Sequence, residues 1–287
     1  MRNIFVKILL KNNKKKRVYL IVNDLGFNVV EPFIKKYKNN FVNAGISEQN
    51  MVGLAAGIAS ENNHVFVYSI ANFSTFRCAE QIRNDVDYHK LNVTLVSVGS
   101  GLGYGNLGYT HHALQDYSLM RSLPNMMIIS PGNEMEVKLS LEYILKNPTP
   151  SYLRLCKNQV KNIFKFNYKK ITPGKIYKLK EGKKDKIILT TGSVQNLIKE
   201  VNLNKNYSVY SLPIWGTKTN KTTFKILKNF KKIITIEDHF KSGGFGSWIN
   251  ELLSETDTKV SIRSINEKVI TKVGSENFLM KKYGPAN

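Results

Sequence analysis

The sequence predicts an α/β protein built from two consecutive parallel-sheet domains. Short apolar runs recur along the chain, and stretches with helical periodicity separate them. This alternation is typical of parallel sheets that are covered by helices on both faces. It stops over a polar, lysine-rich segment, Asn158–Lys186, and then restarts. A chain of 287 residues is long enough for two domains.

The first half begins with a short amphipathic helix, after which buried strands alternate with helices. The strands are indicated by apolar, β-branched and aromatic runs, and the helices by apolar residues at helical spacing. We expect strands at Arg17–Asn23, His64–Ser69, Asn92–Val98, Met126–Ser130 and Ser151–Leu155. We expect helices at Ser47–Ser60, Phe73–Tyr88 and Asn133–Leu145.

The second half repeats the alternation on a smaller scale. Strands are expected at Ile187–Thr191, Tyr207–Leu212 and Lys232–Glu237, and helices at Val194–Leu203 and from about Phe245 to Ser254. Pro173-Gly174 and Gly182 punctuate the polar segment between the halves. We therefore predict a first domain at 1–160, a linker at 161–186 and a second domain at 187–287.

Composition excludes several classes of protein. The chain has no apolar run of about eighteen residues, so no membrane span is expected. A net charge of +22 is typical of many nucleic-acid-binding proteins. Because the lysines are spread along the chain rather than clustered in one patch, we expect no nucleic-acid partner. Cys78 and Cys156 show neither metal spacing nor a disulfide framework. The N-terminus lacks a signal-peptide pattern, so a reduced, cytoplasmic setting is expected.

The most informative stretch is NAGISEQNMVGLAAGIA, Asn43–Ala59. Ser47 is placed to cap the helix that starts here, and Glu48 falls in its first turn, where free amides favour an anion. The residues beyond are apolar on nearly every face, which predicts a helix buried all round. A carboxylate at the mouth of such a helix is costly unless something binds it or it holds a proton.

A glycine-dense loop, GSGLGYGNLGYTHHALQD, follows the Asn92–Val98 strand. It is a weak dinucleotide fingerprint, because no helix starts directly after the glycines and no acid follows a further strand at the usual distance. We interpret it as a loop that brings backbone close to a ligand and presents Thr110, His111 and His112.

Together these segments resemble the second half of transketolase. The resemblance covers nearly the whole chain and is carried by motifs in the family's order, namely NDLGF (Asn23–Phe27), GISEQNM, the segment that contains Phe73 and Phe76, GYTHH, RSLPN, TGS (Thr191–Ser193) and EDHFKSGGFGS (Glu237–Ser247). It implies a pyrimidine-binding domain for thiamine diphosphate, followed by a Rossmann-like C-terminal domain. It also implies an enzyme that transfers a two-carbon ketol unit between sugar phosphates.

The resemblance assigns cofactor roles to residues of the first domain. Glu48 matches the glutamate that hydrogen-bonds N1′ of the aminopyrimidine and favours the tautomer that activates the cofactor. Phe73 matches the aromatic residue that stacks on the pyrimidine, and Phe76 a second aromatic wall. Ile70 replaces a common aromatic residue, and Asp24 and Leu25 match the pocket floor.

On the substrate side the chain departs from the family pattern. His111 matches the histidine that reaches the sugar, but Tyr109 replaces the motif's proline and Leu107 its substrate-reading aspartate. Gly99 stands where an earlier histidine is expected. Lys157 replaces a phosphate-binding arginine, which keeps the charge and loses the bidentate fork. Arg2 matches a further phosphate-site arginine.

The family's GDG motif, which with a later Asn binds magnesium and diphosphate, is missing from this sequence. The resemblance therefore implies a split transketolase whose Mg²⁺ and diphosphate are held mainly by a separate subunit. We expect an α2β2 heterotetramer with closed symmetry. The alternative is that the sequence is a fragment.

Other functions stay open at this point. A deoxyxylulose-phosphate-synthase-like or other specialised sugar synthase also fits a helix-start glutamate and a threonine–histidine pair. A 2-oxo-acid dehydrogenase β subunit fits the THH loop poorly. A non-catalytic assembly partner would have no physical reason to keep a buried carboxylate.

Overall fold

A computed structural model describes residues 1–13, 17–158, 163–164, 168–199, 207–216 and 220–286. These residues form two mainly parallel sheets flanked by helices, which confirms the predicted fold class.

The strands and helices alternate through most of the chain. The strands are β1 (Val18–Val22), β2 (Phe41–Asn43), β3 (His64–Ile70), β4 (Val93–Val98), β5 (Met127–Ile129), β6 (Ser151–Leu155), β7 (Tyr177–Lys180), β8 (Lys183–Thr190), β9 (Tyr207–Ser211), β10 (Ile214–Trp215), β11 (Lys232–Ile236) and β12 (Lys259–Arg263). The helices are α1 (Arg2–Asn12), α2 (Glu31–Lys36), α3 (Glu48–Ser60), α4 (Phe73–Phe76), α5 (Ala79–Gln81), α6 (Asp116–Arg121), α7 (Glu134–Lys146), α8 (Lys221–Leu227), α9 (Phe245–Leu252) and α10 (Glu276–Tyr283).

The first sheet has the strand order β10-β5-β6-β4-β3-β1-β2, and its pairs are parallel except for β10 with β5. The second has the order β12-β11-β8-β9-β7, and β7 with β9 is its antiparallel pair. Strands β3 and β4 lie near the centre of the first sheet and are buried along their whole length, as expected for strands covered on both faces.

The segment predicted as a linker, 161–186, is more than a connection. It contains β7 and the start of β8, and Ile171 and Ile176 in it are buried. Lysine-rich composition concealed this strand, because in β7 buried and exposed residues alternate and the exposed ones are lysines. The division into domains at 160 and 187 stays a prediction.

The predicted helix Phe73–Tyr88 is wrong as a single helix. The structure divides it into α4, α5 and a π-helical turn at Ile82–Asp87. In α4 the hydroxyls of Ser74 and Thr75 donate to backbone carbonyls in the preceding turn, including that of Ala71. Such bonds compete with regular helix geometry, and π-helical turns are common at functional sites.

The predicted helix Val194–Leu203 is a 3₁₀ segment at Ser193–Lys199 in the structure, and the rest of it lies outside the described residues. Strands β2, β10 and β12 and helices α2, α6, α8 and α10 were not predicted. Most of these elements are short, and short elements carry little periodicity.

Trp215 on β10 lies where the two halves of the chain meet. Its ring centroid is 5.0 Å from Tyr117, 5.2 Å from Phe245 and 5.3 Å from Trp248. Its indole nitrogen donates to Thr191 Oγ1 at 3.1 Å. Since residues of both sheets belong to this core, the second half of the chain completes the packing of the first.

Arg154, on β6, is a fully buried cation that also joins the two halves. Its Nε donates to Asp116 Oδ2 at 2.6 Å and its Nη1 to Asp238 Oδ1 at 2.5 Å. Its Nη2 donates to the Ala113 carbonyl at 2.8 Å, and the guanidinium lies 4.4 Å from the centroid of the Tyr117 ring. Buried charges are tolerated when they are paired and hydrogen-bonded in this way.

We predict that Arg154→Met lowers the free energy of unfolding by about 3–5 kcal/mol, because it leaves two buried carboxylates without their cation. Chemical denaturation monitored by circular dichroism measures this loss. Arg83→Met changes an exposed arginine and serves as the control. A loss below about 1 kcal/mol for Arg154→Met, the range typical of exposed pairs, would contradict the prediction.

Candidate functional site

The predicted site residues gather at the carboxyl ends of β1, β3 and β4. Asp24 and Leu25 come just after β1, Phe73 follows β3 and Gly99 follows β4. Glu48 joins them at the start of α3. In open parallel sheets ligands bind at this edge, so the topology places the polar residues where a site is expected.

Glu48 is 6% exposed, and both of its partners bind the same carboxylate oxygen. Asn23 Nδ2 donates to Oε1 at 2.9 Å, and Arg77 Nη1 donates to Oε1 at 2.9 Å. Ser47 does not cap the helix as predicted. Its hydroxyl donates to the Ala44 carbonyl at 2.6 Å, because that acceptor is one turn back along the chain. The buried carboxylate is therefore compensated by an ion pair and an amide.

Helix α3 is not buried all round, which corrects the sequence prediction. Met51, Val52 and Ala55 face the core, whereas Leu54 is 37% exposed. A methyl group added at Gly53 would meet nothing within 4 Å. One apolar face of the helix is thus open to solvent in the single chain, although its composition is that of a buried helix.

Phe73 connects the glutamate to the histidine of the glycine loop. The Arg77 guanidinium carbon lies 4.1 Å from the centroid of the Phe73 ring. The His111 ring meets the same ring edge-on, with centroids 4.9 Å apart. The loop is tied to this strand end by Asn72, whose Nδ2 donates to the Thr110 carbonyl at 2.7 Å. Glu48, Arg77, Phe73 and His111 thus form one continuous row.

The other predicted cofactor residues lie around this row. Ile70 is buried at the end of β3, whereas Phe76 is 47% exposed. Asp24 adopts a left-handed conformation, and its Oδ1 accepts from Asn43 Nδ2 at 3.2 Å. Leu25 follows it at partial burial. Of the two predicted phenylalanines, Phe73 is therefore a member of the row, whereas Phe76 lies at the surface.

The two loop histidines differ in their surroundings. His111 is partly buried, and its Nδ1 lies 3.0 Å from Thr110 Oγ1. Burial lowers the pKa of His111, and the positive charge of Arg77 lowers it further. His112 is 1% exposed, and burial lowers its pKa as well. Only the His111 ring therefore contacts the row, while His112 lies in the interior.

The glycines of the loop bring its backbone against the C-terminal half of the chain, and the close approach of this loop to a ligand stays a prediction. A methyl group added at Gly101 would lie 2.9 Å from Asp238, and one at Gly105 would lie 2.6 Å from the Gly274 carbonyl. Gly99 has a φ of +90°, and the Tyr104 ring fills the space of a side chain there. The C-terminal half therefore supports the loop that carries His111.

The predicted phosphate-site cations lie around Tyr104, beyond His111. The Lys157 ammonium is 4.6 Å from the centroid of the Tyr104 ring. The ring centroids of Tyr104 and His111 are 6.3 Å apart. The positive charge of Arg2 acts on both Tyr68 and Tyr104. Burial raises the pKa of Tyr68 to about 12 despite that cation. Two positive charges therefore lie at the end of the row that is remote from Glu48.

Sequence reasoning missed Asn23, Arg77 and Tyr104. Asn23 directly precedes Asp24, and Arg77 directly follows Phe76, so both were adjacent to residues already singled out. A buried carboxylate implies a partner, and this requirement is the signal that could have found them. Tyr104 lies in the glycine loop and carried no comparable signal.

Within the described residues no helix is long and apolar enough to cross a membrane. In that part of the chain no three His, Cys, Asp or Glu side chains gather in a cluster that could hold a metal ion. Both cysteines are free and buried.

Residues 11–162 match the family model described as transketolase, pyrimidine binding domain. The chain is 30% identical over 99% of its length to a putative transketolase C-terminal section of Methanocaldococcus jannaschii, of which it covers 92%. It is 29% identical over 89% of its length to one subunit of the apulose-4-phosphate transketolase of Actinobacillus succinogenes, and it covers 84% of that subunit.

A 1-deoxy-D-xylulose-5-phosphate synthase of Clostridium perfringens is 31% identical over 87% of this chain, which covers 40% of that enzyme. Among solved structures, a split gene transketolase described as an inactive beta4 tetramer superposes with a TM-score of 0.82 and 26% identity. That match covers 98% of this chain and 92% of the other.

We predict that Arg77→Ala raises the pKa of His111 toward its ordinary value of 6.5, because it removes the nearby positive charge and leaves burial unchanged. The His111 imidazole would then gain its proton at higher pH than in the wild-type chain. NMR titration of the ring protons measures this change. Arg83→Ala removes an exposed arginine and should leave the titration of His111 unchanged; an equal midpoint in all three proteins would refute the assignment.

Proposed function

The chain belongs to the transketolase family, and on that premise we propose that it is the pyrimidine-binding subunit of a thiamine-diphosphate-dependent transketolase. It transfers a two-carbon ketol unit between sugar phosphates, together with a separate subunit that binds the diphosphate. The observation that carries this proposal is the buried Glu48 carboxylate at the end of a row that continues through Phe73 to His111.

The described residues fit the pyrimidine end of the cofactor. A buried carboxylate oxygen, an aromatic ring and a buried amide converge at one strand edge. Asn23 Oδ1 is buried and has no hydrogen-bond partner among the described residues, so an acceptor is left for a ligand N–H group. Glu48 and Asn23 would hold the ring edge, and Phe73 its face.

Thiamine diphosphate, when bound, supplies the carbanion chemistry that side chains cannot provide. Glu48 would exchange a proton with the aminopyrimidine nitrogen and fix its tautomer. His111, whose pKa is lowered by burial, would accept or donate a proton at a substrate hydroxyl. Lys157 and Arg2 would attract the substrate phosphate at the far end of the row.

The partner is proposed to be a separate chain that holds Mg²⁺ and the diphosphate, in an α2β2 assembly. Support comes from relatives whose names describe a C-terminal section and one subunit of a transketolase, and from a structural neighbour described as a split gene product. The open face of α3, with Leu54 and Gly53, gives such a partner an apolar surface beside Glu48.

The assembly is tested by purifying the tagged chain from its native lysate, identifying what copurifies by mass spectrometry, and titrating thiamine diphosphate with Mg²⁺. We expect a chain carrying the GDG motif to copurify and the cofactor to bind the complex. Recovery of the chain alone, without cofactor binding, would contradict the proposal.

We predict that Glu48→Gln lowers the turnover of the assembled enzyme by about 100-fold or more, because the amide cannot exchange the proton. Steady-state kinetics on the complex measures the loss, and circular dichroism checks the fold. Glu80→Gln changes an exposed acid on α5 and is the matched control. Turnover near that of wild type would exclude the proposed role of Glu48.

We predict that Lys157→Ala raises the KM for a phosphorylated acceptor more than it lowers kcat, because a charge contact made in both ground and transition states acts on binding. The same kinetics with the unphosphorylated sugar gives the comparison. Equal effects on the two acceptors would show that Lys157 does not contact the phosphate.

A further inference from the structure

We propose that the Arg77 guanidinium occupies the position of the aminopyrimidine and competes with the cofactor for Glu48 and Phe73. This inference rests on the proposed function, because it assumes that these two residues receive the pyrimidine. Arg77 would then have to be displaced from Glu48 and Phe73 before the cofactor ring can enter.

The first observation is the hydrogen bond to the carboxylate. Arg77 Nη1 donates to Glu48 Oε1 at 2.9 Å, at the oxygen that Asn23 also binds. The proposed cofactor contact is a nitrogen of a planar ring against this same carboxylate. A guanidinium is likewise a planar group that presents N–H donors to a carboxylate.

The second observation is the stacking contact. The guanidinium carbon lies 4.1 Å from the centroid of the Phe73 ring, and the same guanidinium donates to Glu48. One planar group thus meets the ring of Phe73 and the carboxylate of Glu48 together. An aminopyrimidine bound by these two residues would need the same space, so the two occupants exclude each other.

The third observation is exposure, which shows that Arg77 can leave. Its side chain is 51% exposed, whereas that of Glu48 is 6% exposed. A half-exposed ion pair contributes little free energy, so the guanidinium loses little when it moves into water, and Asn23 would still donate to the carboxylate. The fixed part of the site is therefore the carboxylate and the movable part is the cation.

Competition of this kind predicts tighter cofactor binding when the arginine is removed. The ion pair and the cation–π contact are each modest at a half-exposed site, so Arg77→Ala should lower the Kd for thiamine diphosphate by about 5- to 10-fold. Arg77→Lys keeps the charge and loses the planar fork, so its Kd should lie between those of wild type and Arg77→Ala.

The test is isothermal titration of thiamine diphosphate, with Mg²⁺ in excess, into the assembled complex that contains wild-type chain, Arg77→Ala, Arg77→Lys or the control Arg83→Ala. As a second readout, the arginine side-chain NMR signal assigned to Arg77 in the wild-type complex should lose its ring-current shift when the cofactor saturates the site.

Tighter binding by Arg77→Ala, an intermediate Kd for Arg77→Lys, an unchanged Kd for Arg83→Ala and loss of the ring-current shift would establish the competition. Equal or weaker binding by Arg77→Ala would overturn it and identify Arg77 as neutral or as a cofactor ligand. If neither the wild-type nor the Arg77→Ala complex binds the cofactor, the proposed function fails and this inference fails with it.

Discussion

The arrangement of this protein depends on a single buried cation, Arg154. Its three nitrogens satisfy carboxylates and carbonyls from α6, from the loop that carries the histidines and from the C-terminal half. Isolated, any of these buried carboxylates would be costly, so the three segments are stable only when they are assembled together. The Ala113 carbonyl that Arg154 holds is two residues from His111, and the position of that histidine follows from the same cation.

Two other buried carboxylates, those of Glu237 and Glu48, are stabilised by different kinds of partner. Glu237, in the tail motif, accepts from the backbone nitrogens of Phe245 and Gly246 at the start of α9, at 2.6 and 2.9 Å. It is satisfied by fixed backbone groups and serves structure. Glu48 is instead satisfied in part by a half-exposed side chain that can be exchanged. The difference between a permanent and an exchangeable partner separates a structural carboxylate from one available to a ligand.

Much of the fold could be predicted from the sequence because its central strands are long apolar runs. Strand β6 matches its predicted bounds, and β1, β3 and β4 differ from theirs by a residue or so at each end. The helix Phe73–Tyr88 failed because hydroxyl groups and a π-helical turn interrupt a pattern that looks continuous. At the site, Glu48, Phe73 and His111 were found by spacing and resemblance, and the structure brings them into one row. Their roles stay proposals. The buried Glu48 required a partner, but which side chain supplies it depends on how the interrupted helix turns, so Arg77 was not identified from the sequence.

The antiparallel pairing of β10 with β5 limits where the chain can be cut if the first sheet is to be produced by itself or fused to another protein. A piece ending near residue 186 would lose Ile214 and Trp215 and expose the backbone edge of Ile128 and Ile129. An uncovered apolar edge of this kind is a template for intermolecular β-pairing. The smallest piece that keeps the first sheet covered therefore extends at least to Trp215. A piece that is cut near residue 186 would be prone to aggregate.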